Sequence, residues 1–211
     1  KHCSMLVNAS RFTSVQGEIR DHIHEFMDRL ERRIRFGKSH SAKKALRDEE
    51  ISKLHEVWQE EYGSLEFSWE DIYAALLEAV APITVIAVNS KSATPLDYES
   101  YKETGRQVIA VGGFSLSRGL TLEGLTVSYF LRNSVMYDTL MQMGRWFGFR
   151  PGYEDLCRIW MTADAIGWYE HISESIEELR QEFRAMEQAK QTPEQFGLKV
   201  RSHPDSLIVT A

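Results

Sequence analysis

Two stretches of the sequence combine glycines, small hydroxyls and arginines, which are the groups that proteins use to contact phosphate. The first stretch covers residues 112–124 and reads Gly-Gly-Phe-Ser-Leu-Ser-Arg-Gly-Leu-Thr-Leu-Glu-Gly. The second covers residues 142–150 and reads Gln-Met-Gly-Arg-Trp-Phe-Gly-Phe-Arg. Backbone N–H groups beside glycine, serine hydroxyls and guanidinium groups all donate hydrogen bonds to phosphate oxygens. Catalytic carboxylates or a nucleophile–base pair are not evident in either stretch.

Short apolar segments that are typical of buried parallel strands determine where these groups would lie. The predicted strands are Met5–Asn8, Ile83–Asn89, Gln107–Val111, Leu125–Leu131 and Leu156–Met161. Helical segments lie between them, which predicts a doubly wound α/β domain. In such a domain the loops at the carboxyl ends of the strands bind ligands. Three further candidates therefore follow the first and second strands, namely Arg11, Ser90 and Ser92.

Residues 14–81 interrupt this alternation because only helical periodicity is present there. Within them Ser68, followed three residues later by Asp71, predicts a capping box at the start of a helix. We expect an all-helical insertion over residues 14–81, with the sheet domain formed by residues 1–13 and 82–211. A long helix is predicted from about Ala163 to Lys190, and Pro193 opens a short final helix. The first helix carries four arginines that are either a solvated helix face or a contact for nucleic acid or a partner: Arg29, Arg32, Arg33 and Arg35.

Bulk composition limits the protein class. Hydrophobic residues make up 43% of the 211, enough for a sizeable core, and the formal net charge is -6. An acidic chain that touches nucleic acid must do so through a local patch. Two cysteines far apart give no disulfide framework and no zinc site, and no segment has the length and apolarity of a membrane span or signal peptide. We expect a cytoplasmic protein with no membrane contact, and both ends of the chain to be boundaries within a longer one.

The two phosphate-type stretches resemble helicase motifs. Ser117-Arg-Gly-Leu-Thr-Leu-Glu-Gly-Leu125 is similar to motif V of superfamily-two helicases, and the segment from Gln142 to Arg150 is similar to their motif VI. The first strand, which ends in Asn8, occupies the place of motif IV. The resemblance implies a RecA-like fold, that is, a P-loop NTPase-type parallel sheet flanked by helices, and the C-terminal lobe of a nucleic-acid-dependent ATPase.

A narrower resemblance covers nearly the whole chain. Leu6-Val-Asn-Ala-Ser-Arg-Phe12, the run that begins at Ser117 and the run from Gln142 to Leu156 resemble the Z1 domain family. This is a helicase-associated domain of bacterial proteins, met in restriction–modification and phage-defence settings and named as an endonuclease component. It implies an upstream RecA-like lobe as partner, nucleic acid (DNA) as ligand, and nuclease or methylase partners.

The resemblance also implies residue roles. Arg145 matches the arginine finger that reaches the γ-phosphate of ATP on the other lobe, Arg150 is the second arginine, and Gln142 matches the polar residue that contacts phosphate. The cofactor-binding candidates are Gly119, Thr121 and Gly144. The nucleic-acid-binding candidates are Arg11, Ser90, Ser92, Ser115, Ser117 and Arg118.

The sequence departs from the helicase pattern at three points. Arg150 follows Arg145 by five positions instead of three, Thr121 replaces an aspartate, and no Gly-x-x-x-x-Gly-Lys-Ser/Thr loop is present. We therefore expect ATP and Mg²⁺ to be held mainly by the upstream lobe, and this chain alone to hydrolyse no ATP.

Other roles stay open for the same residues. Arg145 and Arg150 could be structural arginines at a helix C-terminus, and the acid at Glu123 could be catalytic or could pack in a turn. Two alternatives to the motor lobe are a non-catalytic RecA-like interaction module and an accessory domain of an endonuclease. The chain contains no Glu-x-Lys sequence of the kind that restriction-type nucleases use to hold Mg²⁺, so any nuclease site would lie elsewhere.

Overall fold

Five strands and five helices make up the described parts of the chain. The structure, a computed structural model, describes residues 1–89, 96–113, 121–131, 140 and 151–192. The strands are β1 (Cys3–Asn8), β2 (Thr84–Val88), β3 (Gln107–Gly112), β4 (Leu125–Phe130) and β5 (Arg158–Met161). The helices are α1 (Thr13–Gly37), α2 (Ala42–Ala45), α3 (Glu49–Tyr62), α4 (Trp69–Val80) and α5 (Ala163–Gln188), and a short 3-10 helix covers Glu99–Tyr101. All five predicted strands are confirmed to within two residues at each end.

The strands form a single parallel sheet in the order β2-β3-β1-β4-β5. β1 pairs in parallel with both β3 and β4, and β2 pairs in parallel with β3. The central strand β1 is largely buried, with Leu6, Val7 and Asn8 all at most 4% exposed. The mixed α/β class and the flanking helices agree with the sequence prediction.

Helix α1 belongs to two hydrophobic clusters. Its first half packs on the sheet, where Ile19, Ile23 and Met27 contact the buried cluster of Val7, Ile109 and Val111. Its second half enters a separate helical core. The buried members of that core are Leu30, Ile34, Ala42, Ala45, Ile51, Trp69 and Tyr73. The stretch 14–81 is therefore helical as predicted, and its first helix also covers the sheet.

Local capping explains where α3, α4 and α5 begin. Ser68 accepts from the backbone N–H of Asp71 while the Asp71 carboxylate accepts from the backbone N–H of Ser68, so the predicted capping box is present. Asp48 caps α3 through the backbone N–H groups of Glu50 and Ile51. Thr162 caps α5, which ends at Gln188 close to the predicted end. The helix predicted after Pro193 lies outside the described residues.

The chain divides into two compact units. The first contains 1–130 and 148–160, and the second contains 131–147 and 161–211. Within the second, the Tyr169 hydroxyl donates a 2.9 Å hydrogen bond to the carbonyl of Leu140, and burial raises the pKa of Tyr169 to about 12. Among the helices that the structure describes, none has the length and the apolar character that a membrane span requires.

Candidate functional site

The strand order reverses at β1. The chain runs from β1 to the edge strand β2, returns through β3, and then crosses past β1 to β4 and β5. In open parallel sheets, ligands bind outside the carboxyl ends of the strands at the point where the order reverses. Asn8, at the carboxyl end of β1, is in register with Gly112 of β3 and Phe130 of β4. The ends of three neighbouring strands therefore meet at one edge, which we call the carboxyl edge.

A hydrogen-bonded chain of side chains joins the loop after β1 to the end of β2. Asn89 Nδ2 donates to Gln16 Oε1 over 3.1 Å, and Gln16 Nε2 donates to the carbonyl of Ser10 over 2.9 Å. Gln16 is only 2% exposed, in the first turn of α1. A buried amide that satisfies groups on two different loops fixes both of them. Ser10 and Asn89 directly precede Arg11 and Ser90 in the sequence, so these hydrogen bonds join the residues that lead into two predicted binding segments.

Gly113 lets the end of β3 approach the same loop. A Cβ atom at Gly113 would lie 2.6 Å from the Ser10 carbonyl oxygen and 2.8 Å from Gln16 Nε2. Both distances are shorter than real Cβ contacts, so only glycine fits unless the neighbours move. Gly113 is the second residue of the phosphate-type stretch 112–124.

The amide of Asn8 is buried without a hydrogen-bond partner. The residue is 0% exposed, and neither Nδ2 nor Oδ1 has a partner in the described part of the chain. An unsatisfied buried polar group costs roughly 1–3 kcal/mol, so each example in a folded protein needs a reason. An unsatisfied amide at the point of strand reversal makes Asn8 a candidate for binding a ligand.

Arg11 presents a positive charge beside this edge. It is exposed, and none of the ion pairs formed by the described residues includes it. Its guanidinium lies 4.9 Å from the centroid of the Phe12 ring, and that ring is 57% exposed. An exposed guanidinium held against an aromatic face can bind a phosphate while the ring stays accessible to a base.

Thr121 lies in a different part of the sheet from Arg11. It is exposed and lies two residues before the turn of Glu123 and Gly124, whose carbonyls accept hydrogen bonds from the side chain and backbone of Ser4. Ser4 is at the start of β1, whereas Arg11 follows its end. The structure therefore does not bring Thr121 and Arg11 into one cluster.

Glu123 has a structural partner in this turn. Its carboxylate lies 3.6 Å from His2 Nε2, and its carbonyl accepts a 2.6 Å hydrogen bond from Ser4 Oγ. Gly124, with φ of +68°, lets the turn pass close to the His2 carbonyl. The packing role of Glu123 is thus the one that its contacts support.

The other predicted site residues lie outside the described residues. These are Ser90, Ser92, Ser115, Ser117, Arg118, Gly119, Gln142, Gly144, Arg145 and Arg150. Sequence reasoning in turn missed Asn8, Gln16 and Asn89 as candidate site residues. A signal for the two asparagines was available, because β1 and the predicted segment of β2 both end in Val-Asn, as Val7-Asn8 and Val88-Asn89.

A family comparison agrees with the motifs. The family model of the Z1 domain matches residues 1–207. The chain belongs to the Z1 domain family. No curated protein and no solved structure gives a significant match to it. The match covers all of the carboxyl edge, so Asn8, Gln16 and Gly113 are part of the Z1 domain itself.

The described part of this Z1 domain offers donors rather than metal ligands. No group of three or more His, Cys, Asp or Glu side chains in it could hold a metal ion. At the carboxyl edge the groups are amides, a guanidinium and backbone atoms near glycine. This donor set suits phosphate oxygens and the edges of bases.

Proposed function

We propose that this Z1 domain is the second RecA-like lobe of a nucleic-acid-dependent ATPase, a helicase or translocase that acts in a bacterial DNA restriction or defence system. It contributes the segments that resemble motif V and motif VI to an ATP site that it shares with an upstream lobe. The observation that carries the proposal is the carboxyl edge at the strand reversal, where Asn8, Arg11 and Gly113 meet. Both helicase-like stretches follow strands that end at this edge.

The arginines of motif VI supply the charge for catalysis in this proposal. Arg145 approaches the γ-phosphate and neutralises charge in the transition state, Arg150 assists it, and Gln142 contacts phosphate. Gly119, Gly144 and Thr121 line the nucleotide. Because the sequence carries no Gly-x-x-x-x-Gly-Lys-Ser/Thr loop, the proposal assigns ATP and Mg²⁺ mainly to the upstream lobe. The metal would supply neutralising charge for the phosphates there.

The proposal also assigns binding of the nucleic-acid backbone to the carboxyl edge. Arg11 and the hydroxyls that follow β2 and β3 contact phosphates without reading bases, which is how a motor tracks along any sequence. The residues are Arg11, Ser90, Ser92, Ser115, Ser117 and Arg118. The hydrogen bonds of Gln16 with Ser10 and Asn89 connect the residues that directly precede Arg11 and Ser90 in the sequence. Any DNA cleavage or methylation belongs to partner domains.

The test is DNA-stimulated ATP hydrolysis by the full-length protein that contains this chain. We expect Arg145→Ala to lower the stimulated kcat by about a thousandfold or more, as for the loss of an arginine finger. Arg184→Ala, on the exposed surface of α5, is the matched control and keeps full activity. If DNA does not stimulate hydrolysis by the wild-type protein, or if Arg145→Ala leaves it unchanged, the domain is a non-catalytic interaction module instead.

A further inference from the structure

A second basic surface lies on the helical core, away from the carboxyl edge. Residues 36–47 contain four lysines and arginines and no Asp or Glu, in a chain of net charge -6. The four are Lys38, Lys43, Lys44 and Arg47. All are exposed, and none is in an ion pair formed by the described residues. The preceding arginines differ, because Arg29 and Arg33 pair with Asp48 and Glu50.

A cavity of about 260 Å³ opens within this surface, at the junction of α1, α2 and α3. Its apolar floor is formed by Ala45, Ile51 and Tyr73, all at most 9% exposed. Lys44 and Arg47 contribute to its basic rim. We call it the Phe36 pocket, after the ring at its mouth. It is smaller than the roughly 300–1,000 Å³ of pockets for whole drug-sized ligands, so it accepts one flat group rather than a cofactor.

Phe36 is placed to stack on such a group. Its side chain is 84% exposed, which leaves an aromatic face open to solvent, and the His40 ring stands edge-on at 6.5 Å. An aromatic ring beside a basic rim is the arrangement with which proteins bind single-stranded nucleic acid, since bases stack on the ring while cations contact phosphates.

The walls of the pocket are fixed before any ligand arrives. The Tyr73 hydroxyl donates a 2.8 Å hydrogen bond to the Gly37 carbonyl, and Ser41 and Asp48 cap the next two helices. The one acid in the lining is Asp48, and it is engaged by Arg33 Nη1 at 2.7 Å and by the N–H groups of α3. A preformed site loses little entropy on binding.

We propose that the Phe36 pocket binds an unstacked base of single-stranded nucleic acid, with Lys44 and Arg47 on the neighbouring phosphates. Charge favours a polyanion, and the apolar floor with the open ring favours a flat base over the side chains of an acidic peptide. Duplex bases are stacked on each other and present no free face, so a duplex binds here less well than a single strand. This inference rests on the helical core and not on the proposed ATPase.

The experiment measures the affinity of the chain for a labelled oligothymidylate at several salt concentrations. The oligonucleotide is longer than roughly 16 nucleotides, the upper end of the site that one single-strand-binding domain covers. We expect Phe36→Ala to weaken binding roughly 5- to 100-fold, because base stacking on one ring is lost, with the salt dependence unchanged. We expect Lys44→Glu with Arg47→Glu to weaken binding and to lower the slope of log K against log salt by about 1.4, or 0.7 for each phosphate contact. Phe36 is so exposed that its replacement leaves the thermal midpoint unchanged.

The matched control is Arg184→Glu with Lys190→Glu, which changes the net charge equally on exposed positions outside the helical core. Equal losses in the pocket and control variants would show that only overall charge matters and would overturn the proposal. Displacement of the oligonucleotide by polyglutamate at matched charge concentration would overturn it in favour of an acidic peptide. No ATP is present, so the result is independent of the ATPase test.

Discussion

The side-chain amide of Asn89 donates a 3.1 Å hydrogen bond to Gln16, which precedes it by 73 residues in the chain. Gln16 in turn donates a hydrogen bond from Nε2 to the Ser10 carbonyl. A single buried side chain thus joins the ends of β1 and β2, which are separated in the sheet by β3. The geometry of the carboxyl edge depends on this amide rather than on sheet hydrogen bonds alone.

Replacing Gln16 with methionine keeps the volume and removes both hydrogen bonds. We expect Gln16→Met to lower the free energy of unfolding by about 1–3 kcal/mol, the cost of leaving buried polar groups unsatisfied. Urea unfolding of the chain measures it. Gln59→Met, on the exposed face of α3, is the control and should change stability by less than about 0.5 kcal/mol. Equal stability of the two variants would mean that the Asn89–Gln16–Ser10 chain contributes nothing.

Gly113→Ala tests the close approach of β3 to the loop after β1. The added methyl meets the Ser10 carbonyl and Gln16 Nε2 at 2.6 and 2.8 Å, so we expect a loss of about 1–3 kcal/mol from overpacking. Gly17→Ala is the matched control within the same region. Its Cβ meets nothing within 4 Å, and in helix α1 the change should stabilise by about 1 kcal/mol. Opposite signs of the two shifts in unfolding midpoint are the expected result.

The sequence predicted the elements better than their arrangement. The strand from Gln107 was readable because five consecutive apolar or small residues end in glycine, and Ser68 with Asp71 marked a helix start through a local hydrogen-bond pattern. The sheet order was not readable, because nothing in β1 specifies β3 and β4 as its neighbours. The bond from Asn89 to Gln16 depends on that order, so it was missed as well.

The sequence also does not show which clusters of basic residues are neutralised by acids. The sequence leaves Arg29, Arg32, Arg33 and Arg35 as either a solvated face or a binding surface. In the structure all four contact acidic side chains or a backbone carbonyl. The acids at Asp48 and Glu50 are distant in sequence and reach α1 only through the packing of α3. In residues 36–47, by contrast, Lys44 and Arg47 form no ion pair with any described residue. Which basic cluster is neutralised is therefore decided by tertiary structure.

The ion pair between Arg33 and Asp48 makes stability depend on pH. Burial alone would raise the pKa of the Asp48 carboxyl, but the Arg33 hydrogen bond and the N–H groups of Ile51 and Glu50 outweigh it and hold the pKa below its usual 3.8. Because the folded pKa is the lower one, the contribution is present above pH of about 4 and is lost as pH falls through the folded pKa. Asp48→Asn keeps an N-cap acceptor and removes this dependence.

We therefore expect Asp48→Asn to be less stable than wild type by about 1 kcal/mol near neutral pH. The difference should disappear on acidification, when the wild-type carboxyl binds its proton. Urea unfolding at several pH values between about 7 and 3 follows this window. Glu66→Gln, at an exposed position, provides the same change of acid to amide and should track wild type throughout. A difference that grows towards low pH would have the wrong sign and would contradict the assignment.

Arg11 provides a prediction for the full-length protein. If it holds a phosphate of the nucleic acid, Arg11→Ala should raise the DNA concentration for half-maximal stimulation of ATP hydrolysis by about 10- to 100-fold, as for one lost hydrogen bond to a charged group. The kcat at saturating DNA should stay unchanged, which separates this role from that of Arg145. Arg11→Lys, which keeps the charge, should lose less. A fall in kcat with unchanged half-saturation would place Arg11 at the nucleotide instead.

Replacing Asn8 should change the stability of the fold and the activity of the full-length protein in opposite directions. Its amide is fully buried and has no partner among the described residues, so Asn8→Leu, of similar size, removes an unsatisfied polar group and should raise the free energy of unfolding by about 1 kcal/mol. Asn89→Leu is the matched control, since it also follows valine at a strand end but breaks the bond to Gln16, and it should be destabilising. Urea unfolding of the two variants should therefore show shifts of opposite sign.

In the full-length protein, Asn8→Leu should lower DNA-stimulated ATP hydrolysis despite its greater stability, because an amide retained at a cost in stability serves a ligand. A loss of stability as large as in Asn89→Leu would show instead that the Asn8 amide is bonded within the fold.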